Sequence, residues 1–397
     1  MIHDAGQSVT DHRPQVSFIL ATHNRREAVK TTLENLLTIR NEAAGTETIV
    51  VDNCSRDGTA DMIRGSFAGV RLIALKNNIG SCAKAVGVDR AAGEYIVFLD
   101  DDSHPRPGSI ARMIEHFRTS PRLAQAGFTV HLPDGRREGG ALPDIHVGCG
   151  VGFRRNALRK AGGLDRTLFM QAEEYDLSFR LVRAGFEIAV FDDLHVEHLK
   201  TPQARLSWRT VYLDTRNNLL VAARYAPDRR LLPLLQDYTQ RYRWIAESAG
   251  QLRAYARGRR EGWRRLRSER NRFARWRLTG PQFERLFRFE EIKRRMRALA
   301  DSGVRRIILA DLGKNIYPFV AGAKAVGLRV LAIADDRFSR PARCYRGLPI
   351  LPVADALATS PDGVVISNTA PVSAADDARR IAAACSRPVH NWFAAGT

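Results

Sequence analysis

Three consecutive aspartates, Asp100, Asp101 and Asp102, close the apolar run Tyr95-Ile96-Val97-Phe98-Leu99. Such a run reads as a buried strand. Stacked carboxylates at its end repel one another and resist burial unless a cation shares the site. Oxygen ligands suit Mg²⁺ or Mn²⁺, commonly shared with a substrate's phosphates. The pattern points to a metal-chelated nucleotide diphosphate, with a solvated Asp-rich turn as the plainer alternative. Asp52 closes a second apolar run, Ile49-Val50-Val51. Glu173, Glu174 and Asp176 form a further acidic group, in which mutual repulsion raises one pKa toward the range useful for a general base.

The elements that must position these acids alternate between strand and helix signals from about residue 14 to 222. Strands are expected at 16–21, 47–52, 70–75 and 95–99, with helices at 26–38, after Asp57-Gly58-Thr59, and at 82–91. Alternation with short connections predicts an α/β fold with a doubly wound, mostly parallel sheet. Such sheets bind ligands at the carboxyl ends of their strands, where Asp52 and Asp100–Asp102 fall. Residues 301–397 return to strand–helix alternation and predict a small Rossmann-like α/β domain. There Leu309-Ala-Asp-Leu-Gly-Lys-Asn315 follows a strand but lacks the glycines of a dinucleotide fingerprint. A docking or regulatory role is expected of this domain, ahead of NAD binding.

The 397 residues are 44% apolar and 26% charged, ordinary for a globular chain of two or three domains. The formal charge of +19 is uneven: residues 221–300 hold 22 Lys/Arg against 8 Asp/Glu, a net +14. The stretch 223–300 therefore reads as a basic helical segment facing something anionic, a phospholipid surface or nucleic acid. Trp244, Trp263 and Trp276 are expected at head-group level on a membrane. No apolar stretch reaches the length of a membrane span, and the first fifteen residues lack an apolar leader core. The five cysteines are scattered without a CxxC pair, which argues against both a disulfide framework and a zinc site. The expected location is cytoplasmic, peripheral on the inner face of a membrane.

The ordered motifs of residues 15–222 resemble family 2 glycosyltransferases of the GT-A fold, of the bacterial cell-surface glycan type. Ala21-Thr22-His23-Asn24-Arg25 is similar to the family's Pro-Thr-Tyr-Asn-Arg loop under the nucleotide base, with His23 in place of Tyr. Val51-Asp52-Asn53-Cys54-Ser55-Arg56-Asp57-Gly58-Thr59 resembles the signature whose aspartate accepts the imide N–H of uracil or thymine; Asp57 reads as a cap. Asn78 and Lys84 resemble a nucleotide-facing pair, and Phe98-Leu99-Asp100-Asp101-Asp102 a DxD-type motif. By that resemblance Asp100 serves the ribose and metal region, Asp101 orients the nucleotide, and Asp102 ligates the metal. Gly148-Cys149-Gly150-Val151-Gly152-Phe153-Arg154-Arg155 resembles the glycine-rich strand beside the donor sugar, giving Gly150 as a donor contact.

Gln171-Ala172-Glu173-Glu174-Tyr175-Asp176-Leu177-Ser178-Phe179-Arg180 resembles the family's Glu-Asp-x-Asp-Leu-x-x-Arg. It places Glu174, one methylene longer than the usual aspartate, as general base, with Glu173 in reserve. Asp176 is expected to cap a helix or pair with Arg180. His198 resembles the histidine that completes the metal site, and Arg216-Asn217 an Arg-Asn pair near the phosphates. The resemblance implies a metal-dependent inverting transfer of sugar from a UDP- or dTDP-sugar to a hydroxyl of a glycan or lipid-linked acceptor. The competing readings are a nucleic-acid-binding protein acting through the basic segment, and an NAD-dependent oxidoreductase acting through the C-terminal domain. Nucleic acid leaves the Asp cluster unexplained, since carboxylates repel phosphate without a metal.

Overall fold

A computed structural model describes residues 13–200 and 207–393. Its first sheet is built from β1 (Val16–Thr22), β2 (Thr46–Asp52), β3 (Val70–Ala74), β4 (Tyr95–Asp100), β5 (Ser103–Pro105), β6 (Leu123–His131), β7 (Arg137–Glu138), β8 (Gly150–Arg154) and β9 (Glu187–His198). The strand order is β3-β2-β1-β4-β8-β6-β9-β5, with β7 on β6. The half from β3 to β4 is parallel, as the strand–helix alternation requires. Beyond it, β8 runs antiparallel to both β4 and β6, and β9 returns parallel to β6.

Helices α1 (Arg26–Thr38), α2 (Thr59–Ser66) and α3 (Lys84–Val88) cross between the parallel strands. α1 spans the expected residues, while a 3₁₀ turn at Ser81–Ala83 precedes the shortened α3. α4 (Ser109–Thr119), α5 (Arg155–Lys160) and α6 (Glu173–Arg183) complete the domain. Phe18, Leu20, Val97 and Leu99 face α1 and α4 on one side of the sheet. Ile19, Ile96 and Phe98 face the other side, with Leu177 and Leu181 of α6. This alternation across a sheet covered on both faces explains why its central strands are apolar throughout.

A helical layer follows: α7 (Trp208–Tyr225), α8 (Asp228–Ser248), α9 (Leu252–Arg272), α10 (Gly280–Leu286) and α11 (Phe289–Asp301). α7 runs through residue 222, where the composition suggests a boundary, and packs along α9, with Gly258 and Gly262 letting the two backbones approach. α11, basic by composition, buries Ile292, Met296 and Leu299 in the core of the C-terminal domain. Arg224 is wholly buried, bound to Asp176, Asp165 and Glu269, and so ties α7, α6 and α9 together. Asp176 also pairs with Arg180 at 2.6 Å, as its i,i+4 spacing predicts. Burial opposes ionisation of Asp176, yet Arg180 and Arg224 hold its pKa below the usual range. Trp244 differs from its expected place at a membrane surface: it is 7% exposed and packs with Phe338 in the C-terminal core.

The C-terminal sheet is formed by β10 (Arg306–Ala310), β11 (Arg329–Ala334), β12 (Cys344–Tyr345), β13 (Leu348–Leu351), β14 (Gly363–Ile366) and β15 (Val389–His390), in the order β12-β13-β11-β10-β14-β15. α12 (Tyr317–Ala325), α13 (Val353–Ala358) and α14 (Pro371–Ala384) cover it. This is the Rossmann-like alternation expected. The loop after β10 is held against other parts of the molecule. Asn315 Nδ2 donates to Ala141 O at 2.9 Å, Thr369 Oγ1 donates to the same carbonyl at 2.7 Å, and Arg241 of α8 donates to Leu312 O. That loop therefore faces the first domain. No helix among the described residues is long and apolar enough to cross a membrane.

Candidate active site

Register assembles the acids. Thr22 pairs with Asp52 and Ala21 with Asp100, so β2, β1 and β4 end together at one edge. Antiparallel pairing of β4 with β8 sets Leu99 against Gly150 and brings Cys149 beside Asp100. β5 leaves the Asp cluster at once and pairs antiparallel with the end of β9, Ser103 opposite His198. Leu199 N–H then donates to Asp102 O at 2.8 Å, and His198 Nε2 lies 3.2 Å from Asp102 Oδ1. An oxygen of Asp100, the sulfur of Cys149 and a nitrogen of His198 all fall within 4.8 Å of one another.

The cations nearby are few and shared. Arg25 donates to Asp102 Oδ2 at 2.6 Å and lies 3.2 Å from Asp101 Oδ1. Lys84 Nζ, buried, donates to Asp100 Oδ1 at 2.7 Å and to Gly148 O at 3.0 Å. Thr22 Oγ1 donates to Asp101 Oδ2 at 2.8 Å. Burial dominates at Asp101 and pushes its pKa up to about 7 against the help of Arg25 and Thr22. At Asp102 burial is outweighed by His198 and Arg25, and the pKa falls. His198 is held between Asp102 and Glu138, whose Oε2 is 2.7 Å from Nδ1. Burial works against its charge, but Asp102, Cys149 and Glu138 push its pKa up to about 12. Glu138, also bound by Lys200, is pulled down to about 2 despite burial. Burial keeps the Cys149 thiol protonated.

Other residues expected at the nucleotide are held as follows. Asp52 is buried; its Oδ1 accepts from Ser55 N–H at 3.1 Å, and its Oδ2 takes no hydrogen bond from the described residues. Asn24 is left-handed (φ 53°), and its Oδ1 accepts from Arg56 N–H at 2.7 Å, tying the first motif to the second. Asp57 caps the start of α1 and α2 through Arg26 and Thr59, as read from sequence. Asn78 Oδ1 accepts from Gly80 N–H at 2.8 Å in a tight turn. Gly150 has a different reason from the one its motif suggests: an added Cβ would come 2.5 Å from Val196 Cγ1, so protein rather than ligand fills that space. Gly148 does face the site, where its Cβ position is 3.4 Å from Glu174 Oε1.

Arg216 is turned away from the acidic edge. It donates to Leu168 O at 2.8 Å, pairs with Glu261 at 3.4 Å and packs on Tyr212. The neighbouring Asn217 Nδ2 donates to the carbonyls of Leu168, Met170 and Gln171. These bonds fix a loop in which Phe169, Gln171 and Ala172 all adopt positive φ, a conformation that costs about 1–3 kcal/mol per residue. The loop delivers Glu173 and Glu174 at the first turn of α6. Arg216-Asn217 thus positions the candidate base, not the phosphates.

The two glutamates differ in availability. Ser81 Oγ–H donates to Glu173 Oε1, and Glu173 Oε2 is buried without a partner among the described residues. Glu174 is half-buried, and its carboxylate takes no hydrogen bond from another described side chain. Burial and the neighbouring Glu173 push its pKa up to about 8. Glu174 is therefore the freer proton acceptor, and the spacing to Gly148, which bonds Lys84, places it across the same cleft from Asp100. Glu138 and Cys149 had no role in the sequence reading. Only long-range pairing brings them to His198, and no local pattern around Glu138 signals it.

Residues 17–167 match the family described as Glycosyl transferase family 2. The succinoglycan biosynthesis protein ExoO of Rhizobium meliloti (strain 1021) is 36% identical over 107 residues, 26% of this chain and 30% of that protein. The poly-beta-1,6-N-acetyl-D-glucosamine synthase of Staphylococcus aureus (strain COL) is 24% identical over 180 residues, 43% of this chain and 42% of that one. The chain thus spans less than half the length of these two relatives. Among solved structures, the mannosyltransferase PcManGT from Pyrobaculum calidifontis in complex with GDP-Man and Mn²⁺ is similar with a TM-score of 0.45 and 18% identity, covering 67% of this chain and 86% of that one.

A raised carboxylate pKa has a stability consequence. Between the ordinary carboxylate pKa of 4.5 and about 8, the folded state holds a proton on Glu174 that the unfolded state has released, so this group's contribution is present at acid pH and lost as pH rises through 8. Glu174→Gln removes that loss. Its melting temperature is expected to exceed the wild type's by more at pH 8.5 than at pH 5. Equal differences at both pH values would contradict the elevated pKa.

Proposed function

We propose that this chain, whose residues 17–167 form a family 2 glycosyltransferase domain, is a divalent-metal-dependent inverting transferase. It would move a sugar from a UDP- or dTDP-sugar to a hydroxyl of a glycan or lipid-linked acceptor. The observation that carries this reading is the convergence of Asp52, Asp100, Asp102 and His198 at one strand-end edge, with Glu174 across Gly148. The donor set fits Mg²⁺ or Mn²⁺: two carboxylates and an imidazole nitrogen, with the neighbouring thiol neutral. Asp100, Asp102 and His198 would hold the ion, and His198 must shed its proton to do so. When bound, such an ion neutralises charge on a departing diphosphate.

The chain's own residues supply the rest. Asp52 Oδ2, without a hydrogen bond from the described residues, accepts the imide N–H of a uracil or thymine base. Lys84 and Arg25, already committed to the Asp cluster, offset negative charge as a diphosphate enters. Glu174 takes the proton from the attacking acceptor hydroxyl, which is a weak nucleophile until that proton is leaving. A single displacement that inverts the anomeric carbon requires base and leaving group on opposite sides of the sugar, the separation that inverting glycosidases also keep.

The helical layer suits an anionic membrane surface on the cytoplasmic side. Arg253, Arg257, Arg260, Arg264 and Arg267 recur at helical spacing along α9 and are exposed, while Ala254, Gly258 and Gly262 of the same helix are buried. Trp263 is 42% and Leu252 48% exposed beside them. The full chain is expected to co-sediment with phosphatidylglycerol vesicles at low salt and not with phosphatidylcholine vesicles; no retention on the anionic vesicles would remove this partner.

A donor panel followed by thermal shift tests the enzymatic reading. A UDP- or dTDP-sugar should raise the melting temperature only with Mn²⁺ or Mg²⁺ present, and Asp102→Ala should abolish that rise. Glu174→Gln should keep it while transfer falls by roughly 10²–10⁴-fold. Full transfer by Glu174→Gln would remove the base assignment.

A further inference from the structure

The loop after β10 carries Lys314 into the first domain. Its ammonium sits 3.9 Å from the centre of the Tyr175 ring and 5.5 Å from that of Tyr238. Tyr175 is the residue next to the candidate base. Lys314 is half-buried, yet among the described residues no carboxylate comes to ion-pair distance of it. Asp214 of α7 faces the same space, also half-buried, and its carboxylate has neither a hydrogen bond nor an ion pair among the described residues. Glu174 is the third such group. Lys314 acts on the ionisation of both acids, and each acid on that of Lys314, without any of the three closing into an ion pair.

Half-buried charged groups left unpaired are costly, and three of them converge here from three separate elements. Carboxylates that accept and an ammonium that donates are what a polyhydroxylated ligand satisfies. Near these three stand Glu173 and Asp100 from the donor side, Lys84 beside them, and Arg241 from α8, whose guanidinium is engaged by Leu312 O. Acids outnumber free cations in this group, which disfavours an anionic ligand.

We propose that Lys314 and Asp214 form the acceptor subsite of the transfer site, gripping hydroxyls of an uncharged sugar beside the one that Glu174 deprotonates, so that the C-terminal domain is a wall of that site. This rests on the transferase reading above. It gives the domain a task that its missing glycine fingerprint leaves open. The contacts that seat the loop, Asn315 and Thr369 on Ala141 and Arg241 on Leu312 O, hold Lys314 against the first domain.

Saturation-transfer NMR on the full chain, with octyl β-D-glucoside, octyl β-D-galactoside and octyl β-D-glucuronide as probes, reads acceptor binding without turnover. The wild type should bind at least one neutral glycoside and exclude the glucuronide. Lys314→Met and Asp214→Asn should each weaken that binding by about tenfold or more, and Lys314→Arg should restore part of it. UDP affinity with Mn²⁺, measured on the same samples, should stay within about twofold, which also certifies folding. Undiminished glycoside binding by both variants, preference for the glucuronide, or no binding by the wild type would overturn the proposal. Loss of UDP binding in the wild type would instead count against the transferase reading itself.

Discussion

The constraint on which this structure depends is the supply of positive charge to buried carboxylates at the end of β4. Asp101 and Asp102 are 6% and 5% exposed, and Asp100 lies beside them. Arg25, Lys84 and His198 are the cations that answer them. One guanidinium is divided between Asp101 and Asp102, and the division is unequal: Asp102, with His198 on its other oxygen, stays ionised, while burial leaves Asp101 with a raised pKa. A hydrogen-bonded, charge-matched edge of this kind is stable as it stands. Under the proposed metal-dependent reading, the atoms that hold the imidazolium and its partner carboxylate would hold a metal ion once that proton is lost.

From that edge the rest of the site follows in order along the cleft. His198 and Asp102 lie at one end; Asp100 and Lys84 come next; Lys84 reaches Gly148 O, and Glu174 lies beyond Gly148. Lys314, over the ring of Tyr175 next to Glu174, and Asp214 form the proposed acceptor end. Glu174 owes its position to a loop with three left-handed non-glycine residues, which Asn217 fixes through three carbonyls. A strained loop held by hydrogen bonds from a helix is a way to place a carboxylate where no regular element would carry it.

Much of this was legible in the sequence because it is local. The apolar runs ending in Asp52 and Asp100 are strands with the expected carboxyl-end acids, and α1 and the Asp57 cap fall where periodicity and capping chemistry put them. What was not legible depends on pairing between distant segments. The order β8-β6-β9-β5 decides that Glu138, Cys149 and His198 meet, and no window of sequence contains that information. Arg216 was read toward phosphate from its motif, whereas its partners are carbonyls at Thr167 and Leu168 and a glutamate on α9. Composition placed α11 in the basic segment, although its stripe of Ile292, Met296 and Leu299 belongs to the C-terminal core. Net charge describes a helix's solvent face and says nothing of the face it buries. Lys314 was visible only as a residue of a broken fingerprint, since its neighbours Tyr175 and Tyr238 are remote in sequence.

The central claim is that the acids at the end of β4 share a divalent ion with a nucleoside diphosphate. Anomalous diffraction at the manganese edge, from crystals grown with Mn²⁺ and UDP, tests it most directly. The account predicts a single strong peak within bonding distance of Asp102 and His198, next to Asp100, with diphosphate oxygens completing its coordination. An anomalous map with no peak there, or UDP bound elsewhere while Arg25 and His198 keep their grip on Asp102, would contradict it.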